Sequence, residues 1–201
     1  FIHINGVNGL FNSHVKSIIQ DSYGFIWLGT RNGLNRYDGV SMQVYPCFDE
    51  VSGHGNQVIS ALYEDDRRQL WVGTDNGVYI QDLSTGKFSF FDAKTDKGEQ
   101  ISGQWVEDIL SDPSGNIWVN VPNLGVYRYH VPTKKLFRYI LLPGSDKSKN
   151  FPQSICIDKE GTLWVGTNGA SIFRYCPAQD TFEACAKEAL KDDFIFTLCD
   201  Y

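Results

Sequence analysis

The sequence predicts an all-β protein, a partial β-propeller of four-stranded antiparallel blades, and three observations carry that prediction. One phrase recurs four times: "SYGFIWLGTRNGLNRYD" (22–38), "RRQLWVGTDNGVYIQD" (67–82), "SGNIWVNVPNLGVYRY" (114–129) and "EGTLWVGTNGASIFRY" (160–175). Its tryptophans, Trp27, Trp71, Trp118 and Trp164, are 44, 47 and 46 residues apart, and an acid stands six residues before each: Asp21, Asp65, Asp112 and Asp158. Every unit also divides into four short runs rich in aromatic and β-branched residues, punctuated by Gly and Asn and too short for helices. A single four-stranded meander cannot bury both faces, whereas radially arranged blades cover one another and leave only short edges.

The elements follow in a fixed order within each unit. An apolar run ends at the Asp, as in "HVKSIIQD", "VISALYED", "QWVEDILSD" and "SICID". The Trp strand comes next and closes on Gly-Thr in three units (Gly29-Thr30, Gly73-Thr74, Gly166-Thr167), before turns such as Asn32-Gly33 and Asn76-Gly77, a strong hairpin signal. A third strand ends near Tyr37, Gln81, Tyr129 and Tyr175, and a fourth is read in "MQVY", "FSFF", "FRYI" and "FEAC". The boundaries expected are 6–45, 46–91, 92–140 and 141–185 for blades one to four. Residues 1–5 are expected to form the outer strand of a last blade, and 186–201 the first strand of blade five. At ~46 residues per blade, a seven-bladed ring needs about 320 residues, so this chain of 201 supplies part of one.

Composition narrows the function. The apolar fraction is 42%, the charged fraction 21% and the aromatic fraction 14%, a folded rather than disordered profile. Lys and Arg number 18 against 24 Asp and Glu, a net charge of −6, and no basic run occurs, which argues against a nucleic-acid partner. No apolar stretch is long enough to span a bilayer, so membrane contact by this segment is not expected. Five cysteines (Cys47, Cys156, Cys176, Cys185, Cys199) form no C-x-x-C pair and four histidines are dispersed, so neither a metal nor another cofactor is expected. Cys176 and Cys185 flank the unit-four hairpin, where an oxidising compartment would allow a bridge.

The two repeated columns read as structure. A buried indole removes roughly 150–250 Å² from water, about 4–6 kcal/mol gross at ~25 cal/mol/Å², so the Trp column is assigned to packing between blades. The acids invite a reading as metal ligands or catalytic groups, but once-per-blade spacing holds them apart. An Asp three residues before a Gly (Asp21/Gly24, Asp112/Gly115, Asp158/Gly161) instead caps a tight turn in which Gly takes positive φ. Unit two has Arg68 in place of the Gly, so its turn is expected to differ.

The phrase V-x-x-I-x-x-D-x-x-G-x-I-W-x-G-T-x-x-G-L-x-R-Y-D, carried here by Val15, Ile18, Asp21, Gly24, Ile26, Trp27, Gly29, Thr30, Gly33, Leu34, Arg36, Tyr37 and Asp38, resembles the regulator-propeller repeat of two-component sensors. Units three and four depart from it, with Asn120-Val121 in place of Gly-Thr and Gly169-Ala170-Ser171 in a turn. The resemblance implies the periplasmic ectodomain of a hybrid sensor histidine kinase of Bacteroides-type bacteria, a non-catalytic segment that detects oligosaccharides and controls genes for polysaccharide use. It implies the rest of its own propeller and a following β-sandwich domain as partners, and leaves room for a homodimer of the full-length sensor. Two alternatives stand beside it: a propeller enzyme of the streptogramin-lyase or glycan-active kind, and a protein-interaction scaffold.

In a propeller the connections from fourth to first strands and the turns from second to third strands share one face. The longer of these, 46–57, 92–104 and 141–152, vary while the strands repeat, as expected when recognition sits on loops. Sugars need an aromatic platform beside hydrogen-bonding side chains. Trp105, the tryptophan outside the repeated column, is the first candidate, with Gln104, Gln57, His14, Arg31 and Asn32 as ligand contacts.

Overall fold

A computed structural model describes residues 10, 12, 14–45, 47–48, 55–56, 58–141, 151–168 and 171–185. The strands expected at 1–5 and 186–201 lie outside these residues, as do Gln57 and Cys199. The described residues form strands and turns, with four four-stranded antiparallel sheets and one two-stranded ribbon. The first sheet takes β1 (Val15–Gln20), β2 (Ile26–Thr30), β3 (Gly33–Tyr37) and β4 (Met42–Tyr45). The ribbon pairs β5 (Cys47–Phe48) with β6 (Gly55–Asn56), and the second sheet follows as β7 (Ile59–Glu64), β8 (Gln69–Thr74), β9 (Gly77–Asp82) and β10 (Phe88–Phe90). The third comprises β11 (Asp108–Ser111), β12 (Ile117–Val121), β13 (Gly125–His130) and β14 (Lys135–Tyr139). The fourth comprises β15 (Pro152–Ile157), β16 (Leu163–Thr167), β17 (Ile172–Cys176) and β18 (Thr181–Ala184). In each sheet the strands pair in chain order, the meander of a propeller blade.

The described chain divides into two compact units. The first holds the two sheets up to Asp92 together with Ile101–Val106, and the second holds Ala93–Gln100 and the two sheets from Glu107 onward. Within the first unit, Trp27, Leu34, Ile59, Leu62, Leu70, Val72 and Tyr79 make one core between the sheets. Gly29 belongs in this seam because the sheets approach so closely there: a Cβ on it would stand 2.7 Å from Ile59 Cγ2. Within the second unit, Trp118, Val126, Ile155, Leu163, Val165 and Phe173 form the equivalent core. The Trp118 ring meets Tyr175 edge-on at 4.8 Å between centroids.

Trp27, Trp71 and Trp118 are buried, but Trp164 is only half-buried, because among the described residues no further sheet follows the fourth. The acid column is a turn device of a more specific kind than its spacing suggested. One oxygen of Asp21 accepts the Tyr23 and Phe25 amides at 3.0 and 2.9 Å. The other accepts the Trp27 indole N–H at 2.7 Å. The same indole bond joins Trp71 to Asp65 at 3.0 Å, Trp118 to Asp112 at 2.8 Å and Trp164 to Asp158 at 2.6 Å. Donation by the Trp164 indole holds the Asp158 carboxyl below the usual range. The column therefore supplies the hydrogen-bond partner that a buried indole needs.

One expectation is corrected and one open possibility is closed. The unit-two turn does not differ: Arg68 adopts φ 58°, near the 90° of Gly24, and its amide bonds the Asp65 carbonyl at 2.9 Å as the Gly24 amide bonds Asp21. Tertiary packing outweighs the modest cost of a left-handed non-glycine residue. Cys176 and Cys185 are both free, for a reason of register. Cys176 faces Thr181 across the hairpin, while the Cys185 amide bonds the Ile172 carbonyl, four residues along the strand from Cys176 and so about 13 Å away, beyond the reach of a disulfide.

Candidate functional site

The turns from second to third strands are shaped by the Thr of Gly-Thr. Thr30 Oγ1 donates to the Gly33 carbonyl at 2.9 Å and accepts the Asn32 amide at 3.1 Å. Thr74 repeats both bonds with Gly77 and Asn76, at 2.8 and 3.1 Å. These bonds spend the local polar groups inward and leave Arg31 and Asn32 exposed at the tip. The connection between the second and third sheets is then seated on the second of these turns, where the Gly103 amide bonds the Asn76 carbonyl at 3.2 Å and the Val106 amide bonds Thr74 at 2.9 Å.

Gln104 and Trp105 are presented by this connection. Its anchors are Ile101 and Val106, both buried, and a turn closed by the Gln104 amide on the Ile101 carbonyl at 3.1 Å. Between the anchors Gln104 and Trp105 remain half-buried. The Lys16 ammonium lies 5.9 Å from the centroid of the Trp105 ring, at the outer limit of a cation–π contact. Lys16 escaped the sequence reading for a geometric reason. The β1–β2 register shifts between Val15 and Ser17, making Lys16 the extra residue of a bulge, and a bulge re-aims its side chain away from the strict alternation that the sequence shows. The equivalent bulge in the second sheet carries Ser60, whose hydroxyl donates to the Val106 carbonyl at 2.5 Å and so helps hold the Trp105 segment.

The other candidates are placed as follows. His14 is exposed, its amide bonded to Asn12 Oδ1 at 2.7 Å, and it enters β1 two residues before Lys16. Arg31 and Asn32 occupy the β2–β3 tip, and Gln57 lies outside the described residues. The structure thus brings Lys16 to Trp105, leaves Gln104 beside Trp105 on the same connection, and gives His14, Arg31 and Asn32 solvent-facing positions. Among the described residues no three His, Cys, Asp or Glu side chains gather in a way that would hold a metal ion. No helix among them is long and apolar enough to cross a membrane.

The second unit carries an acid that sequence reasoning passed over. Asp108 opens β11 opposite Asn120, where the first and fourth sheets have Ser17 and Ser154 opposite Gly29 and Gly166, and the second has Ala61 opposite Gly73. Burial pushes its carboxyl up to about 6, with Glu107 adding to the rise and the Ile155 amide, donating at 3.3 Å, opposing it. The departure of unit three from Gly-Thr was the signal, since Asn120 is the partner of this acid in the ladder.

Comparison with known proteins accords with this geometry. The two-component regulator propeller family matches residues 9–32, 53–76 and 146–169. A histidine kinase P4 of Formosa agariphila is 46% identical over 39 residues, 19% of this chain and 3% of that protein. Among solved structures, the extracellular domain of BT4673 from B. thetaiotaomicron, assigned as a one component system, superposes with a TM-score of 0.73 at 21% identity, covering 91% of this chain and 26% of that one. The extracellular domain of BT3049 from the same organism, assigned as a hybrid two component system, gives 0.66 at 21% identity, over 90% and 31%. A catalytically inactive virginiamycin B lyase from Staphylococcus aureus, solved with quinupristin, gives 0.71 at 15% identity, over 95% and 62%. The chain spans about a quarter to a third of the two ectodomains, and at these identities the likeness establishes the propeller fold.

Proposed function

Starting from a chain that carries two-component regulator propeller repeats on a propeller fold, we propose that it is part of the non-catalytic, periplasmic sensing region of a hybrid two-component histidine kinase. Its ligand is an oligosaccharide released from a complex glycan, and its output is control of genes for polysaccharide use. The observation that carries the reading is the regulator repeat itself, a rigid sheet scaffold on which the Trp105 connection is held by buried anchors while its recognition side chains stay partly open.

Trp105 supplies the apolar platform for a sugar face, and Gln104 and Lys16 supply donors and an acceptor for its hydroxyl rim. A lyase is the reading favoured by the likeness to virginiamycin B lyase. Metal-assisted elimination requires a histidine beside an acid, whereas of the two histidines among the described residues His14 is exposed just before β1 and the His130 ring is engaged by Thr133 at 2.7 Å. Thermal-shift and calorimetric titration of the complete ectodomain against an oligosaccharide panel tests the proposal. Binding that falls at least tenfold in Trp105→Ala, without consumption of the ligand, is the expected result. Turnover of a panel member would establish the enzyme instead, and absence of any sugar binding would leave the scaffold.

A further inference from the structure

The two inter-sheet seams differ at the end that carries the turns between first and second strands. In the first unit this end is plugged. Tyr23 of one turn meets Arg68 of the next, the guanidinium 5.0 Å from the ring centroid and its Nη1 donating to the phenol oxygen at 3.0 Å. Ser22 ties the same turns through its amide and hydroxyl to Glu64, at 2.7 and 2.6 Å. One position further, Arg36 stacks 4.3 Å over Phe25.

In the second unit each plugging residue has a smaller or uncoupled counterpart. Counted from the repeated Asp, Tyr23 becomes Ser114, Arg68 becomes Gly161, Ser22 becomes Pro113, Glu64 becomes Ile157 and Phe25 becomes Asn116. Pro113 packs against Gly161, where a Cβ would stand 2.7 Å from its Cγ, and beside this contact lies a cleft of about 590 Å³ between the Asp112 turn, the Asp158 turn and the β17–β18 hairpin. That volume lies in the range of small-molecule sites. Beneath it Asn116 Oδ1 and Arg128 Nε are buried without a hydrogen-bond partner among the described residues, so polar closure of the floor is incomplete.

The charges define what fits. Arg128 is paired with Asp180 at 2.9 Å and Arg174 with Glu183 at 3.3 Å, so the charge of both arginines of the cleft is already compensated. Both Asp112 oxygens are engaged, one by the Ser114 and Asn116 amides and the other by the Asn116 side chain and the Trp118 indole. The rim is left with exposed Ser114, Glu160 and Gln179, beside the apolar surfaces of Pro113 and Pro177. Hydroxyl, carboxylate and amide groups around apolar patches suit a ligand with many hydroxyls and no negative charge.

We infer that this cleft is a second binding site, for a neutral mono- or disaccharide, at the end of its own two sheets that carries the turns between first and second strands. Its sugar class rests on the sensing function proposed above, while its position rests only on the emptied seam. The test is calorimetric titration of the complete ectodomain with glucose, maltose, cellobiose and lactose, and with glucose 6-phosphate and glucuronate as charged counterparts. Three variants accompany the wild type: Ser114→Tyr, which puts a ring where the first unit has Tyr23; the exposed pair Glu160→Ala/Gln179→Ala, which leaves the packing intact; and Trp105→Ala. A neutral sugar whose affinity falls at least tenfold in the first two variants and is retained in Trp105→Ala supports the site. Preference for the charged sugars, or no neutral sugar bound by the wild type, overturns it. Binding lost only in Trp105→Ala also overturns it, and leaves the sensing function standing.

Discussion

The first and second units solve one packing problem with different chemistry. Between the first two sheets the contact is apolar at its centre, where Gly29 admits Ile59 and Leu62 against Trp27, and is closed at the turns by Tyr23 and Arg68. Between the third and fourth sheets, polar groups hold the margins. The Ile155 amide bonds Asp108 near one end, and at the other Asp180 accepts the hydroxyls of Tyr139 and Tyr175, each at 2.6 Å, beside Arg128. Arg128 also hydrogen-bonds the Tyr175 hydroxyl. The repeat thus constrains the indole and its acid strictly, while the seam around them varies, and among the described residues the seam of the second unit carries a cleft.

Truncating the indoles gives the largest expected effect on that comparison. Trp27→Ala and Trp118→Ala should each lower stability by about 3–5 kcal/mol, and Trp164→Ala by clearly less, because its ring is only half-buried. Urea denaturation followed by circular dichroism reads this, and equal losses at all three positions would contradict the seam account. Gly29→Val comes next, at about 1–3 kcal/mol, since its Cβ would enter the space of the Ile59 side chain. A neutral result in the same assay would show that the first seam is looser than described.

The polar seam should reveal itself through pH. Asp108 is raised from 3.8 to about 6 by burial, so between those values the unfolded chain has released a proton that the folded chain keeps. Its contribution therefore makes stability fall as pH rises through that window, by up to about 3 kcal/mol. Asp108→Asn should match the wild type near pH 4 and exceed it near pH 7.5. Melting curves at the two pH values check this, and an equal gain at both would point to a cause other than titration.

Asp180 has the opposite sign and the smallest expected effect. Burial alone would raise its carboxyl, but the Tyr139 and Tyr175 hydroxyls and Arg128 outweigh it and hold it low. The stability it confers is present above its unfolded value of 3.8 and is lost as pH falls through the lower folded value. Because half of the side chain is solvent-exposed, Asp180→Asn should cost no more than about 1 kcal/mol at neutral pH, and less once the wild-type acid is protonated. A thermal-melt series from pH 7 to pH 2.5 measures it, and a loss that persists unchanged in acid would show that charge is not the cause.

Much of this was legible in the chain. Strand order, the turns at Asn32-Gly33 and Asn76-Gly77 and the tryptophan column follow from a period of about 46 residues and from local turn chemistry, which act over a few residues and need no knowledge of neighbours. The indole-to-acid bond lay in the six-residue spacing, but its donor and acceptor became evident only when a turn brought them together. Lys16 was not legible, because a bulge breaks the alternation by which strand faces are read. The equivalence of Arg68 to Gly24 was misjudged, because φ preference is a small local cost that the seam overrides.

The sequence by itself determined the four-stranded modules, their repeat and the family to which they are similar, since these depend on short-range pattern and recurring spacing. Tertiary structure alone decided which seam is plugged and which is open. A Tyr and an Arg separated by 45 residues fill space only when two turns meet, and a Ser and a Gly in the same places leave a cleft only when the same meeting occurs.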